Sequence, residues 1–500
     1  MLKEAKIKKI IKQQVFIIMV GTLLSKFLGL IRDSILAKYY GASLITDSYI
    51  IATLIPSLLI GTLATAILST YIPILKMQKT KEEEQKFTNN FVNICVALIT
   101  LLIGIYFVFN KQIVSIFVIG FAGEKLDITV KMTNITIITS YALVLISIYA
   151  GYLQSKGKYI ATSFYGIIFN TISILGICMS YEKSYLIMPI MFAVGYFVSL
   201  FVLIVDSCRN EYKYSLEFNV KDQYIRKMIW ITLPVMFNSI VWDINVAIDK
   251  SLTSTVGEGY VSALNYSYKV ISVAIGVVAT SIAVYIFPKL SEMFTKKERE
   301  KFNATVTNAI VLLLMLIIPI TAFMIIFAEP IIRILFMRGN FDNMALEVTK
   351  TALQIYSISI IPISINTIIY KVFNSMQKNK IPAFNAVISI VINVVLNLIL
   401  VKPLGYKGII IATAISNIVA MIMIIIKMKK EDIRINYKDL TIYAFKIIIA
   451  TIISSVVSIC ISKNININIF IKMIVIGMTY LMVYVVVLWL SKVKAKEIKM

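Results

Sequence analysis

The feature that most constrains this chain is the spacing of its apolar runs. From residue 15 to residue 491, hydrophobic stretches of some twenty residues or more alternate with short polar breaks. A run of that length matches the ~20 residues a helix needs to cross a ~30 Å hydrocarbon core, and counting the runs predicts fourteen spans. Hydrophobic residues make up 59% of the 500 and charged residues only 15%. No soluble fold of this size has enough interior to hide so much apolar side chain. The expectation is an all-α integral membrane protein with fourteen transmembrane helices. No separate catalytic domain is expected, since the longest connections, near 207–227 and 328–346, are some twenty residues each.

The charged minority is therefore read by position. Lys and Arg outnumber Asp and Glu by 50 to 26, a formal net charge of +24. In a soluble protein that excess would suggest nucleic acid. Here it falls on alternate connections, more than twice as much on one side as on the other, as the positive-inside rule requires of cytoplasmic loops. An even number of spans then places both termini in the cytoplasm of a multi-pass membrane protein. The basic start MLKEAKIKKIIKQQ runs into the first apolar stretch with no small-residue cleavage site, which reads as an uncleaved first span.

Histidine is absent, which removes Ser/His/Asp and Cys/His catalysis, HExxH zinc chemistry and histidine proton relays. The four cysteines, Cys95, Cys178, Cys208 and Cys460, show no CxxC spacing and read as packing residues. No GxxxxGK[ST] loop occurs, so ATP hydrolysis within the chain is excluded as a driving force and no organic cofactor is expected.

The chain repeats itself. Residues 61–93 match residues 276–308 at a constant offset, pairing Gly61 with Gly276, Thr65 with Thr280, Pro73 with Pro288, Lys86 with Lys301, Phe87 with Phe302 and Asn93 with Asn308. A weaker echo aligns Gln154 with Gln377 and Asn170 with Asn393. Two six-helix repeats follow, an N-lobe over 1–215 and a C-lobe over 216–430, with two extra helices over 431–500. Six is even, so the repeats enter the membrane in the same orientation, the layout of transporters that rock two bundles about a midplane site.

Ionisable residues inside spans are costly and mark binding sites or pathways. On the first span, Gly21, Thr22, Ser25, Lys26, Gly29, Arg32 and Asp33 fall within a wedge of roughly 140°. On the eighth, Ser262, Asn265, Lys269, Ser272, Gly276 and Thr280 lie within roughly 80° of one another. Asp47 opens the second span, where an N-cap and a functional role are equally consistent readings. Cations facing a space between two bundles suit an anionic substrate, above all a phosphate. On the seventh span Asn238, Trp242, Asn245 and Asp249 share a face. Asp249 with Asn393, Asn397 and Thr413 offers oxygen ligands that would suit sodium as a coupling ion, although interhelical hydrogen bonding explains the Asn and Thr residues equally well. No other metal site is expected.

The stretch SKFLGLIRDSILAKYYGASLITDSYIIATLIPSLL, with SALNYSYKV, PIIRILFMRGNFD and NVVLNLILVKPLGYKGIIIATAIS further on, resembles the MurJ (MviN) family of lipid II flippases, within the multidrug/oligosaccharidyl-lipid/polysaccharide exporter superfamily. The likeness runs over essentially the whole chain. It implies two lobes, a groove for a lipid tail formed by the last two helices, and alternating-access movement of an undecaprenyl-diphosphate-linked precursor from the cytoplasmic to the outer leaflet. By position, Ser25, Lys26, Arg32, Asp33, Asp47 and Lys269 match the family's substrate-binding residues, and Asn265 joins them from the helix-eight stripe. Lys26 and Lys269 stand where arginine is usual, in a chain where seven of fifty basic residues are arginine. Ile60 stands where many members carry another arginine, which removes a positive charge.

The implied partners are lipid II or a similar polyprenyl-diphosphate glycolipid, membrane lipids and cell-wall synthesis proteins, with no nucleic acid. The runner-up is a flippase for another polyprenyl-linked oligosaccharide, of teichuronic, capsular or O-antigen type. An enzyme acting on polyprenyl phosphates would want surface acidic motifs and a larger extramembrane domain, and a non-transporting scaffold would not need intramembrane cations. The expectation is a transporter.

Overall fold

The computed structural model describes residues 2–431 and 433–491; within them, side chains of 2–16, 19, 237–239, 241, 242, 438 and 439 lie outside the description. Asn238 and Trp242, read above as part of a helix-seven face, are therefore outside the described residues. Fourteen long helices follow one another: α1 (Leu2–Tyr40), α2 (Leu44–Leu75), α3 (Lys81–Val108), α4 (Gly123–Ser155), α5 (Ile160–Ser180), α6 (Ile187–Arg209), α7 (Gln223–Ser254), α8 (Tyr260–Thr295), α9 (Arg299–Ile326), α10 (Asn343–Ile358 with Ile360–Ser375), α11 (Lys380–Leu404), α12 (Tyr406–Lys430), α13 (Tyr437–Asn464) and α14 (Ile469–Leu490). Among the described residues eleven are long and apolar enough to cross a membrane, and α10, bent by 42° at its break, makes a twelfth. α1 and α7, with 39 and 32 residues, complete the fourteen. An all-helical chain is what lipid demands, because each helix satisfies its backbone within its own segment.

The repeat is visible in the irregularities. α2 and α8 each carry one turn of π-helix, at Ser57–Gly61 and Gly276–Thr280, and each holds a proline beyond it, Pro73 and Pro288. α3 and α9 are each followed by a short amphipathic helix, Asn110–Phe117 and Ala328–Phe336. α4 and α10 are each interrupted near the middle. Such shared departures from ideal geometry are not imposed by hydrophobicity, so they trace the repeat more surely than the apolar pattern does.

Two compact units result, Met1–Ser262 and Ala263–Met500. They divide one span later than the sequence repeat, because α7 packs on α2: the Thr70 and Thr232 hydroxyls meet at 2.9 Å and Thr62 donates to Asp243 at 2.5 Å. The connection from α6 to α7 is strapped to α3. Asn89 donates to the Lys213 carbonyl, Asn90 to that of Asn219 and Asn93 to that of Glu217. Lys81, 2.6 Å from Glu211, holds that carboxyl below the usual carboxylate range. In the second unit the connection after α12 is pinned in the same way, with the Asn436 amide donating to Thr307 on α9.

Prolines inside spans leave a carbonyl four residues back without its partner. Pro56 frees the carbonyl of Ala52, which accepts from Thr136 on α4 at 2.5 Å. Pro319 frees that of Met315, which accepts from Tyr484 on α14 at 2.6 Å, while Tyr480 donates to the Pro319 carbonyl. The extra helix pair is thus anchored on α9. Of the cysteines only Cys95 is a packing residue; Cys178, Cys208 and Cys460 are exposed, correcting the sequence expectation, and all four are free.

Candidate functional site

The first span's small residues are explained by its neighbour. α1 lies so close to α5 that a Cβ on Gly21 would meet the Ser163 carbonyl at 2.5 Å, and one on Gly166 would strike the Ser25 hydroxyl. Close packing of this kind needs residues without side chains at the contact. It also divides the wedge read from the sequence. Gly21, Ser25 and Gly29 turn toward α5, whereas Lys26, flanked by the exposed Leu24 and Phe27, is itself exposed.

One turn further on, the helix contact becomes electrostatic. Arg32 donates through Nε and Nη2 to the Asp33 Oδ1 atom, at 3.1 and 3.0 Å. Its Nη1 reaches Asn170 Oδ1 on α5 at 3.4 Å, and its guanidinium carbon lies 5.7 Å from the centre of the Phe169 ring. The Asn170 amide nitrogen donates in turn to the Ser25 carbonyl at 3.2 Å. The Arg32 and Asp33 side chains are 15% and 4% exposed, so neither snorkels to an interface. The second carboxylate oxygen of Asp33 and the Tyr49 hydroxyl are buried without a hydrogen-bond partner. A buried ion pair of this kind costs about as much desolvation as its attraction returns, which makes it a weak source of stability.

Asp47 occupies a second, separate centre. It is completely buried, accepts from the backbone N–H groups of Gly259 and Ser262 at 2.8 and 2.9 Å, and pairs with Lys125 at 3.2 Å. Glu258 returns the contact by accepting from the Leu44 amide at 2.8 Å. Each carboxylate thus serves orphan N–H groups at the start of the other's helix, α8 for Asp47 and α2 for Glu258. The cap on α2 itself is Ser43. Asp47 shares no partner with Arg32 or Asp33.

The remaining predicted residues lie elsewhere. Lys269 and Asn265 are half-buried on α8 in the second unit, and neither is without partners. Asn397 donates to Asn393 Oδ1 at 2.9 Å, and Asn393 donates to Thr413 at 3.3 Å, a ladder joining α11 and α12. Asp249 belongs to α7 in the first unit, where its carbonyl accepts from Thr253. The ladder is the arrangement that interhelical hydrogen bonding predicts, and the Asn393 and Thr413 oxygens are already engaged. Ile60 is 4% exposed and packed in the first unit's apolar core. Among the described residues no group of three or more Cys, Asp or Glu side chains converges.

Three residues of these centres were not singled out by sequence. Asn170 was visible only as a repeat echo, Lys125 carries no local mark in the sequence, and Asp243, the acceptor for Thr62, is an intramembrane carboxylate that the default reading of such groups would have found.

Two repeats of six spans, two added helices and an ion pair inside the first span define a secondary-transporter class of membrane protein. A profile of the lipid II flippase MurJ family matches residues 36–484, and the chain belongs to that family. It is 24% identical over 402 residues to a probable lipid II flippase MurJ of Rickettsia prowazekii, covering 79% of each chain, and 25% identical over 439 residues to that of Vibrio cholerae, covering 83% and 82%. Its fold is similar to a solved lipid II flippase MurJ in an inward closed conformation, with a TM-score of 0.83 at 24% identity over 94% of this chain and 98% of that one. A multidrug MATE transporter in an inward-facing conformation follows at 0.64 and 15%, covering 83% and 97%. Family and spans together make this a bacterial inner-membrane protein.

Proposed function

We infer that this chain translocates lipid II, the undecaprenyl-diphosphate-linked peptidoglycan precursor, from the cytoplasmic to the outer leaflet by alternating access and without ATP hydrolysis. Both termini lie in the cytoplasm on this reading, as the charge bias supports. The observation that carries it is the Arg32–Asp33–Asn170 centre inside the first span of a chain matched to a flippase family along most of its length.

The chemistry follows from donor counting. A guanidinium has five N–H groups. Two of Arg32's are held by Asp33 and one by Asn170, which leaves one on each terminal nitrogen, the fork that grips two oxygens of one phosphate. Asp33 and Asn170 fix the plane of that fork before substrate arrives, and Asp33 compensates the charge while the site is empty. Lys26, exposed on the same helix, adds a mobile point charge. Lys269 is the intramembrane cation that the second repeat carries on α8. With Ile60 packed in the core, fewer cations share the diphosphate, so each one matters more.

In cells depleted of other flippases, labelled lipid II should reach the outer leaflet with this chain and stop doing so with Arg32→Ala at equal membrane abundance. Export unchanged by depletion of the chain would overturn the reading. Accumulation inside of a different polyprenyl-linked glycan would replace lipid II as the cargo. Varying sodium and membrane potential separately in proteoliposomes tests coupling; a sodium requirement lost in Asn393→Ala would assign the ion to the α11–α12 ladder.

A further inference from the structure

The first unit encloses a cavity of about 760 Å³ that the transport chemistry does not use. It lies among α1, α5 and α6, at the end of the bundle where Gly157–Tyr159 lead into α5 and α6 stops at Arg209. Its walls are apolar: Ile17 from α1, Phe164 and Ile168 from α5, Phe201 and Val205 from α6. Its polar residues gather at one end, as Lys158, Asp206, Arg209 and Asn210. The volume is in the range of small-molecule sites, and an apolar cleft with convergent polar groups at one end is the shape that binds an amphiphile.

The polar end is electrically incomplete. Asn210 donates to the Asp206 carbonyl at 2.8 Å and to its carboxylate at 3.2 Å. Lys158 and Arg209 are exposed, and neither side chain has a hydrogen-bonded or ionic partner among the described residues. Among the described residues that line this end, two cations and one carboxylate leave one positive charge unbalanced. A phosphodiester carries a single negative charge, whereas a diphosphate carries more. On the orientation proposed above, this end faces the cytoplasmic leaflet, whose lipids are anionic.

We propose that this cavity is a binding site for one anionic phospholipid of the cytoplasmic leaflet, its phosphate held by Lys158 and Arg209 and an acyl chain lying along Phe164, Phe201 and Val205. The apolar walls are what separate it from a site for free phosphate, which would leave them wet. The single excess charge separates it from a site for the transported diphosphate.

Native mass spectrometry of the purified full-length chain, titrated with phosphatidylglycerol, phosphatidylcholine or inorganic phosphate, tests this independently of transport. One phosphatidylglycerol should be retained in preference to phosphatidylcholine. K158Q/R209Q should weaken it about thirtyfold, roughly fivefold per cation, and K158R/R209K should restore it. Val205→Trp, which fills the cavity and leaves the cations in place, should abolish retention. Equal retention of both lipids, unchanged binding in K158Q/R209Q, or displacement by millimolar phosphate would each overturn the proposal. Lipid II export that is unchanged when the chain is depleted, with phosphatidylglycerol retention intact, would sink the transport reading alone.

Discussion

Asn170 and Asn393 hold the same place in the two repeats, on α5 and α11, and do different work. Asn170 reaches across to α1 and shares a guanidinium with a buried carboxylate. Asn393 reaches to α12 and joins an amide and a hydroxyl in a neutral ladder. The start of α2 and α8 shows the same divergence, since Asp47 in the first repeat stands where Ser262 does in the second, and the carboxylate of one caps the amide of the other. At these two points the first repeat brings a charged side chain to the contact, where the second has an amide or a hydroxyl. The difference teaches where to look for function: neutral hydrogen bonds between membrane helices contribute little, whereas a buried charge must be held in place by everything around it.

The largest effect is expected at Arg32. Arg32→Ala leaves Asp33 buried, charged and unpaired, which costs about 3–5 kcal/mol, so reversible denaturation in mixed micelles should register a large loss together with loss of complementation. Arg32→Ala/Asp33→Ala removes both charges and should recover most of the stability but none of the transport. If the double variant is as unstable as the single one, the pair is structural and the charged half has no functional distinction from the neutral one.

Asp47→Ala comes next. It leaves two backbone N–H groups and the Lys125 ammonium unmet inside the first unit, at about 1–3 kcal/mol for each unsatisfied group. Asp47→Asn keeps one acceptor oxygen, so it loses the ion pair and one of the two backbone bonds but spares the other, and it should fall short of that cost. Equal losses would show that the remaining bond to the helix start contributes nothing by itself.

Asn170→Ala and Asn393→Ala then measure the comparison directly. Hydrogen bonds to a charged group run to about 1.5–3 kcal/mol, whereas neutral ones between membrane helices average about 0.6 kcal/mol. Asn170→Ala should therefore destabilise the chain several times more than Asn393→Ala. Equal effects would erase the asymmetry.

Much of this was legible in the sequence because it rests on quantities a sequence carries. Run length predicted fourteen spans, and the polar matches around Lys86, Phe87 and Asn93 exposed the repeat. Arg32 and Asp33 stood out because hydropathy forbids them. What stayed hidden depends on partners brought together from far along the chain. Lys125 sits 78 residues from Asp47, and nothing local marks it as an intramolecular counter-ion. Ser25 carries a hydroxyl on the right face, yet its neighbour is Gly166 on α5, and helical periodicity cannot tell a helix-packing face from an open one. The cysteines misled for the same reason: an apolar run says that a residue is in the membrane, not that it is packed.

The smallest expected effect is the one that tests the comparison outside charge altogether. In the first unit the carbonyl freed by Pro56 is served from within the repeat, by Thr136; in the second, the carbonyl freed by Pro319 is served from outside it, by Tyr484 of the added helix. Thr136→Val and Tyr484→Phe should each cost no more than about 0.6 kcal/mol, the average of a neutral interhelical bond. Pro319→Ala restores an N–H that can take over the Met315 carbonyl, so Tyr484→Phe in that background should cost close to nothing, and the double-mutant cycle isolates the bond. A full cost in the Pro319→Ala background would mean that Tyr484 holds α14 by ring packing alone. Of these two contacts, the Tyr480 bond to the Pro319 carbonyl would then be the one polar tie between α14 and α9.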